Sequence, residues 1–170
     1  AAAEVVGTGK WLVGRDTRES GPALEQALID GLHSGGAKAS RTGVLPTPAL
    51  AHLSARHSVP AAMITASHNP WHDNGVKVFA PGGLKLSEEV ERSIEAALSD
   101  EPLIVAHHRG FDLQQSVLDM YVCDFFADYS DDSLAGLRIV LDCANGAMYQ
   151  AAPQVARRLG ADVIVINAGP

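Results

Sequence analysis

The sequence predicts an α/β fold, because its apolar residues alternate along the chain between two periods. Short runs such as residues 11–13 and 61–64 are continuously apolar, as expected for buried strands. Residues 22–33 instead place apolar side chains three and four positions apart, which is typical of a helix. Residues 137–166 follow the order strand, helix, strand, which implies a parallel pair joined by a right-handed crossover.

The N-terminal elements follow from apolar spacing and capping signals. Residues 1–10 resemble the end of a helix that leads into the strand at 11–13. The helix over residues 22–33 is expected to begin at Ser20 as its N-cap and to bury one apolar face. That face comprises Leu24, Ala27, Leu28 and Leu32.

Later elements alternate in the same way. Ser87, with Glu88 and Glu89 behind it, is expected to open a helix by a capping box, and Val90, Ile94 and Leu98 form its stripe. Residues 99–113 are polar and irregular, which indicates a surface connection. The remaining predicted elements are strand 38–45, a helix beginning at 46–48, strand 61–64, strand 76–79, helix 114–129, strand 137–141, helix 149–159 and strand 161–166.

The string SDDSLAG, residues 130–136, is typical of a linker and predicts a domain boundary. We expect one α/β domain over residues 1–132, without its extreme N-terminus, and the beginning of a second, truncated α/β domain over residues 133–170. The chain opens without Met and closes on a strand whose outer edge has nothing to cover it. Both ends are therefore expected to be truncated.

Composition excludes several classes of protein. Apolar content of 46% with 19% charged residues is typical of a globular protein, and the net charge of −7 disfavours nucleic-acid binding. No apolar run approaches the roughly 20 residues that span a bilayer, and no signal peptide precedes the first strand. The two cysteines, Cys123 and Cys143, favour a reduced, cytoplasmic compartment. Oligomeric state is not indicated.

The segment ITASHNPWHDNGVKVF, residues 64–79, concentrates groups that carry chemistry. Ser67 follows a buried strand and enters a loop, where a rigid scaffold can present a side chain to a ligand. The hydrolase motif GxSxG is missing, and the adjacent His68 is poorly placed for a dyad because neighbouring side chains diverge. A serine that carries a phosphoryl group needs cations and donors nearby. The local candidates are Arg15, Arg18, His68 and Lys77.

Structural roles remain open for these residues. Ser67 fits an ordinary turn, and Lys77 fits a solvated edge strand. Arg15 and Arg18 fit ion pairs as well as phosphate contacts, because the guanidinium fork suits both. Their candidate ion-pair partners are Asp16, Glu19 and Asp73.

Other residues carry weaker signals. His72 fits a surface residue, and the pair His107 and His108 is a poor metal pattern. Trp71 fits either a cleft wall or a packing residue. Three residues fit a turn: Asp142, Asn145 and Gly146.

Several segments together resemble the α-D-phosphohexomutase superfamily. TASHNP followed by DNGVKVF resembles its phosphoserine loop, and GRDTRESG (14–21), GVLPTPAL (43–50) and LDCANGAMYQAAP (141–153) resemble other family segments in the same order. The SHNPxxDNGxKxF spacing, PGGLKL and DCANGA look most like the phosphoglucosamine mutase branch, with the phosphoglucomutase and phosphomannomutase branches close behind. The resemblance implies a layered α/β domain with a mixed sheet, followed by the start of a second, similar domain.

The resemblance also implies an activity. Phosphorylated Ser67 would convert glucosamine 6-phosphate to glucosamine 1-phosphate through a bisphosphate, with Mg²⁺ held by the phosphoserine and by aspartates outside this sequence. Lys77 corresponds to the family lysine that moves a proton or stabilises charge. His68 corresponds to the motif histidine and is expected to hydrogen-bond near the serine. Arg15, Arg18 and Asn69 are expected to support the phosphate.

The sequence also departs from the family pattern. The N-terminal FGTDGxRG motif and the DGDxDR metal loop do not occur in it. We therefore expect the isolated chain to be inactive and to represent the phosphoserine-bearing part of a mutase. A non-catalytic module that keeps the fold is the alternative class of function.

Overall fold

The computed structural model describes residues 1–98, 107–108, 111–126 and 132–170. The helices in this part of the chain are Ala2–Val6 (α1), Gly21–Ser34 (α2), Thr47–His57 (α3), Glu88–Ala96 (α4), Gln114–Phe125 (α5) and Ala151–Arg158 (α6). The strands are Lys10–Arg15 (β1), Lys38–Val44 (β2), Ala61–Ile64 (β3), Val76–Phe79 (β4), Phe111–Asp112 (β5), Arg138–Asp142 (β6) and Asp162–Ile166 (β7).

Five strands form one mixed sheet in the order β4-β3-β1-β2-β5. Strand β1 pairs in parallel with both β2 and β3, and β5 pairs in parallel with β2. Strand β4 runs antiparallel to β3, which makes the sheet mixed. The predicted α/β class is confirmed. Because β1, β2 and β3 run in the same direction, the loops that follow them meet at one edge of the sheet.

Two apolar clusters, one on each face of the sheet, form the core. Trp11 and Val13 pack with Ile29 and Leu32 of α2 on one face. Leu12, between those two strand residues, belongs to the cluster on the other face with residues of α3 and α5. This alternation follows from the period of two in a strand. Burying a large apolar side chain contributes about 1.5–3 kcal/mol, so both layers hold the strand ends in place.

Helix α2 buries only part of the face that its apolar spacing predicts: Leu32 is in the core and Leu28 packs against it, but the N-terminal part of that face is exposed. Leu24 is 39% exposed, whereas Ile29 and the two carboxylates Glu25 and Asp30 are buried. Glu25 lies 3.5 Å from the guanidinium nitrogens of Arg15 and of Arg41. These ion pairs compensate the buried charge of Glu25, and hydrogen bonds from Gln26 and the His108 N–H hold Asp30; the hydrophobic pattern alone contains no sign of either.

Three further expectations differ from the structure. Ser20 stands at the N-cap of α2 but makes no side-chain capping bond; its Oγ accepts a hydrogen bond from Asn74 Nδ2 at 3.0 Å. Ser87 does cap α4, accepting from the Val90 N–H, yet no residue of that helix is buried. Strand β5 lies inside the stretch predicted to be irregular, and residues 99–106 and 109–110 of that stretch lie outside the described part of the chain.

Strands β6 and β7 form a separate two-stranded parallel sheet, with α6 between them in sequence, as the strand–helix–strand order predicts. A third apolar cluster joins Leu118, Val122 and Phe126 of the α5 region to Ala151 and Leu159 around α6. Helix α6 is thereby packed against α5, which lies in a helix layer of the main sheet. No helix among the described residues is long and apolar enough to cross a membrane.

Candidate active site

A cleft of about 870 Å³ opens at the sheet edge where the parallel strands end. One wall is built from the loops that follow β1, β2 and β3. The other wall comes from the loop after β6 and from the last two residues of the chain. The residues that line the cleft lie within 16–19, 46–47, 63–71, 144–148 and 169–170.

Ser67 lies in the serine loop, which we define as residues 65–75 between β3 and β4. Its φ of 56° is in the left-handed region, which a residue with a side chain rarely adopts. Its backbone N–H donates to Thr65 Oγ1 at 3.0 Å. The residue is exposed and lines the cleft. A constrained backbone therefore presents the hydroxyl to the cleft, a conformation that is typical of functional positions.

Asp16, Arg18 and Thr65 form a brace beneath the serine loop. The Asp16 carboxylate accepts a hydrogen bond from Arg18 Nε at 2.9 Å and one from Thr65 Oγ1 at 2.7 Å. It also accepts from the backbone N–H of Arg18 at 3.1 Å. These residues directly follow β1 and β3, so the carboxylate joins the ends of two paired strands.

Arg18 extends this brace along the serine loop. Its Nη2 donates to the carbonyls of Ser67 and Asn69, both at 3.0 Å, and its Nη1 donates to the carbonyl of Asp73 at 2.9 Å. Nη1 also donates to the Pro70 carbonyl. The ion pair with Asp16 that the sequence left open is therefore formed. These bonds direct the guanidinium donors toward the loop backbone, so the residue acts as a positioning group in this structure.

Arg15, the other arginine of this segment, makes none of the described hydrogen bonds to the serine loop. Its Nε is 3.5 Å from Glu25 on α2, and its Nη1 donates to the Asp16 carbonyl at 3.4 Å. It does not contribute to the described lining of the cleft. The structure thus places Arg15 in an ion pair with Glu25.

His68 and Asn69 line the cleft beside Ser67. The Nδ1 atom of His68 lies 3.4 Å from the Ser67 hydroxyl, close enough for a weak hydrogen bond. Lys77 sits on β4 and pairs with Met63 of β3, a residue that lines the cleft. The Lys77 side chain is exposed. It is not among the described residues that line the cleft. Its role in proton transfer therefore stays a prediction.

No group of three metal-ligating side chains forms among the described residues. Asp16, one of the two described acids that line the cleft, already accepts hydrogen bonds from Arg18 and Thr65. His107 and His108 are held elsewhere: His107 Nδ1 and the His108 N–H both lie 2.8 Å from Asp30. The hydrogen bond from the His108 backbone, ahead of other contacts, lowers the pKa of Asp30 below its usual value.

The opposite wall is a tight turn after β6. Asp142 Oδ1 accepts from the Ala144 N–H and from Asn167 Nδ2, each at 2.9 Å. The Asn167 amide is the main cause of the lowered pKa of Asp142, followed by the Ala144 N–H. Ala144 and Asn145 have φ values of 47° and 51°. Asp142 therefore acts as a turn-forming residue, as the sequence favoured.

Sequence reasoning missed Thr65 and the contact between Ser20 and Asn74. A signal for Thr65 was present. Strands β1 and β3 pair in register with Arg15 opposite Ile64, so the next residues, Asp16 and Thr65, emerge side by side at the sheet edge. A hydroxyl and a carboxylate following adjacent parallel strands are expected to meet. The Ser20 contact has no comparable signal, because it depends on how the serine loop folds.

Comparison with known families gives one match over most of the first sheet. Residues 1–103 match the family described as phosphoglucomutase/phosphomannomutase, alpha/beta/alpha domain I. Among curated relatives, phosphoglucosamine mutase of Clostridium beijerinckii is 44% identical over 166 residues, which is 95% of this chain and 37% of the relative. The phosphoglucosamine mutase of Saccharopolyspora erythraea is 48% identical over 163 residues, 94% of this chain and 36% of the relative. The chain thus spans little more than a third of these proteins.

Solved structures agree on the fold. A proposed phosphomannomutase from Thermus thermophilus superposes with a TM-score of 0.87 at 26% identity, over 99% of this chain and 40% of that one. A phosphoglucomutase/phosphomannomutase family protein from Burkholderia thailandensis gives 0.73 at 27% identity, over 99% of this chain and 38% of that one. The predicted mixed-sheet architecture is confirmed by these neighbours.

Proposed function

This chain belongs to the phosphoglucomutase/phosphomannomutase family, and on that premise we propose that it is the phosphoserine-bearing part of a phosphosugar mutase that interconverts glucosamine 6-phosphate and glucosamine 1-phosphate. The observation that carries the proposal is the presentation of Ser67 at the cleft by a strained, braced loop. The names of the relatives, at 44–48% identity, support the choice of glucosamine phosphate.

The proposed reaction has two phosphoryl transfers. Phosphorylated Ser67 gives its phosphoryl group to the 1-hydroxyl of glucosamine 6-phosphate: the bond from phosphorus to Oγ breaks, a bond to O1 forms, and the hydroxyl proton leaves. The bisphosphate then turns around in the cleft. Its 6-phosphoryl group returns to Oγ, O6 takes up a proton, and glucosamine 1-phosphate leaves. Catalysis of this kind depends on positioning and charge stabilisation.

The geometry around Ser67 favours a phosphoryl carrier over a hydrolytic nucleophile. A hydrolytic serine needs a base that a third group orients. His68 is 3.4 Å from the hydroxyl, but no described carboxylate contacts its ring. The brace from Arg18 instead fixes the backbone at Ser67 and at the residues that follow it, which suits a group that must deliver phosphate in line.

Mg²⁺ is part of the proposal, although the described residues do not form a site for it. Ser67 would supply one ligand through its phosphate, and Asp16 is committed to the brace. A metal neutralises charge on a transferring phosphoryl group when it is bound. The chain's own residues orient the serine, and we assign hydrogen bonding to His68 and Asn69 and proton transfer or charge stabilisation to Lys77.

The remaining assignments follow from the same proposal. We expect the partner to be a small hexosamine or hexose phosphate, with neither nucleic acid nor membrane bound, and we place the protein in the cytoplasm. Both cysteines are free, which fits a reducing compartment. The two domains are proposed to lie over residues 1–132 and 133–170, consistent with the two separate sheets.

A phosphoglucomutase or phosphomannomutase activity is the alternative within the family, and both solved neighbours carry such names. Rates measured at full natural length on glucosamine 6-phosphate, glucose 6-phosphate and mannose 6-phosphate decide between them. We expect the first to be turned over fastest. Preference for either other sugar overturns the glucosamine assignment.

Turnover in variants tests the nucleophile. Ser67→Ala is expected to abolish mutase activity, because no other hydroxyl holds that position. Ser58→Ala is a matched control: Ser58 is also exposed and also left-handed, with φ 51°, but it lies outside the cleft at the end of α3. Full activity of Ser67→Ala contradicts the mechanism, and wild-type protein that turns over none of the three sugars supports the non-catalytic alternative.

A further inference from the structure

Trp71 is the most exposed large apolar residue among those described, with 74% of its surface open to solvent. The other tryptophan, Trp11, is completely buried. An exposed indole is common at binding surfaces, where its large flat face is covered by a ligand. Trp71 lies on the serine loop four positions after Ser67 and lines the same cleft.

The backbone around this indole is fixed although the ring is exposed. Arg18 donates to the carbonyls of Asn69 and Pro70, immediately before Trp71. The Asp73 N–H donates to the Pro70 carbonyl at 3.0 Å, which closes a turn around the tryptophan. The His72 ring meets the indole edge to face, with centroids 5.7 Å apart. An aromatic surface held in this way loses little freedom when a ligand covers it.

The lining of the cleft has both polar and apolar parts. Ser67, His68 and Asn69 supply polar groups, while Trp71 and Met148 supply apolar surface on the two walls. A hexose ring has the same division: hydroxyls project from its rim, and its faces consist of C–H groups. Apart from the His68 imidazole, the indole is the only aromatic ring among the described residues that line the cleft.

We propose that Trp71 binds substrate, its indole face stacking on the C–H face of the hexose ring so that a ring hydroxyl reaches Ser67. This inference rests on the proposed phosphosugar activity and deepens it. The indole contacts the sugar ring of the substrate and not its phosphate group. Inorganic phosphate, which has no sugar ring, is therefore the probe that distinguishes ring binding from phosphate binding.

Fluorescence quenching tests the contact directly. Trp11 is buried, so among the tryptophans of this chain neutral acrylamide reaches mainly Trp71; the Trp71 signal at full natural length is taken as the difference between the wild type and Trp71→Phe. Saturating glucosamine 6-phosphate is expected to reduce the quenching constant severalfold, and inorganic phosphate is expected to leave it unchanged. Bound sugar phosphate without protection of Trp71 overturns the proposal. An indole that acrylamide cannot reach before ligand is added also overturns it, since another segment or partner then covers the ring.

Kinetics of variants separate a binding role from a structural one. Trp71→Leu is expected to raise KM roughly five- to tenfold with a smaller change in kcat, and Trp71→Phe is expected to restore most of the loss. Leu84→Ala is the control, because Leu84 is 70% exposed but does not line the cleft. An unchanged KM in Trp71→Leu refutes the ring contact while the mutase assignment stands. Failure of the wild-type protein to bind hexose phosphate refutes the mutase assignment itself.

Discussion

Replacing Arg18 removes the brace of the serine loop in a single step. Its side chain donates to the Asp16 carboxylate and to the carbonyls of four residues of the loop: Ser67, Asn69, Pro70 and Asp73. Arg18→Ala deletes all of these bonds. Arg18→Lys keeps the charge but loses the planar fork, so it tests whether geometry or charge holds the loop.

The loss of stability follows from how exposed each bond is. The bonds to Asp16 and to the Asp73 carbonyl, both 2.9 Å, are partly buried. A bond to a charged group contributes about 1.5–3 kcal/mol and an ordinary one about 1 kcal/mol. The other carbonyls are exposed and regain water, so each adds little. Asp16 keeps its bond from Thr65. We therefore expect Arg18→Ala to lower the free energy of unfolding by about 3 kcal/mol.

Two measurements follow the loop itself. Urea denaturation gives the change in unfolding free energy, and hydrogen exchange reports the opening of residues 65–75. Phosphorylation of Ser67 is expected to slow on the order of 100-fold, because a misplacement of about 1 Å has that effect on a positioned group. Arg92→Ala is the control, since Arg92 is an exposed arginine on α4. Unchanged exchange and unchanged phosphorylation in Arg18→Ala refute the brace.

Two further predictions concern stability away from the cleft. A Cβ at Gly83 would lie 2.2 Å from the Ala51 carbonyl oxygen at φ +74°, so Gly83→Ala is expected to cost roughly 2–4 kcal/mol in thermal or urea unfolding. Gly82→Ala, at φ +99° with open space around it, isolates the backbone cost, and an equal loss in both variants contradicts the clash. The pKa of Asp30 is lowered in the folded protein, first by the hydrogen bond from the His108 backbone N–H. The ionised carboxylate therefore stabilises the fold fully at pH values above the pKa of Asp in the unfolded chain. This stabilisation is lost as the pH falls through the lower pKa of Asp30 in the folded protein. Asp30→Asn should therefore destabilise by roughly 2 kcal/mol at pH 7 and progressively less toward acid; a pH-independent difference argues against this.

Much of the framework could be predicted from local pattern. The continuous apolar run of β3 and the turn-formers after it place Ser67 at a strand end, and the structure agrees. The βαβ order at residues 137–166 likewise predicts the parallel pair that is observed. These features depend on neighbours in sequence, which is why spacing and turn chemistry suffice for them.

The rest depends on contacts between distant positions. Arg18 contacts residues of the serine loop that lie 49 to 55 positions further along the chain. The sequence therefore left two roles open for Arg18, a phosphate contact or an ion pair. Helix α2 buries Glu25 and Asp30 because Arg15, Arg41 and His107 contact them from other elements. Prediction from the apolar face of a helix places charged side chains such as these two acids in solvent. Strand β5 has only two residues, too few for a period to emerge.

Phosphopeptide mapping tests the central claim, that Ser67 carries the phosphoryl group. The protein at full natural length is incubated with glucosamine 1,6-bisphosphate, digested, and analysed by mass spectrometry. We predict a single phosphate on the peptide that contains Ser67, transferable to glucosamine 6-phosphate, absent from Ser67→Ala and retained in Ser58→Ala. Turnover of glucosamine 6-phosphate with Ser67 unmodified throughout, or with the phosphate on another residue, contradicts the account.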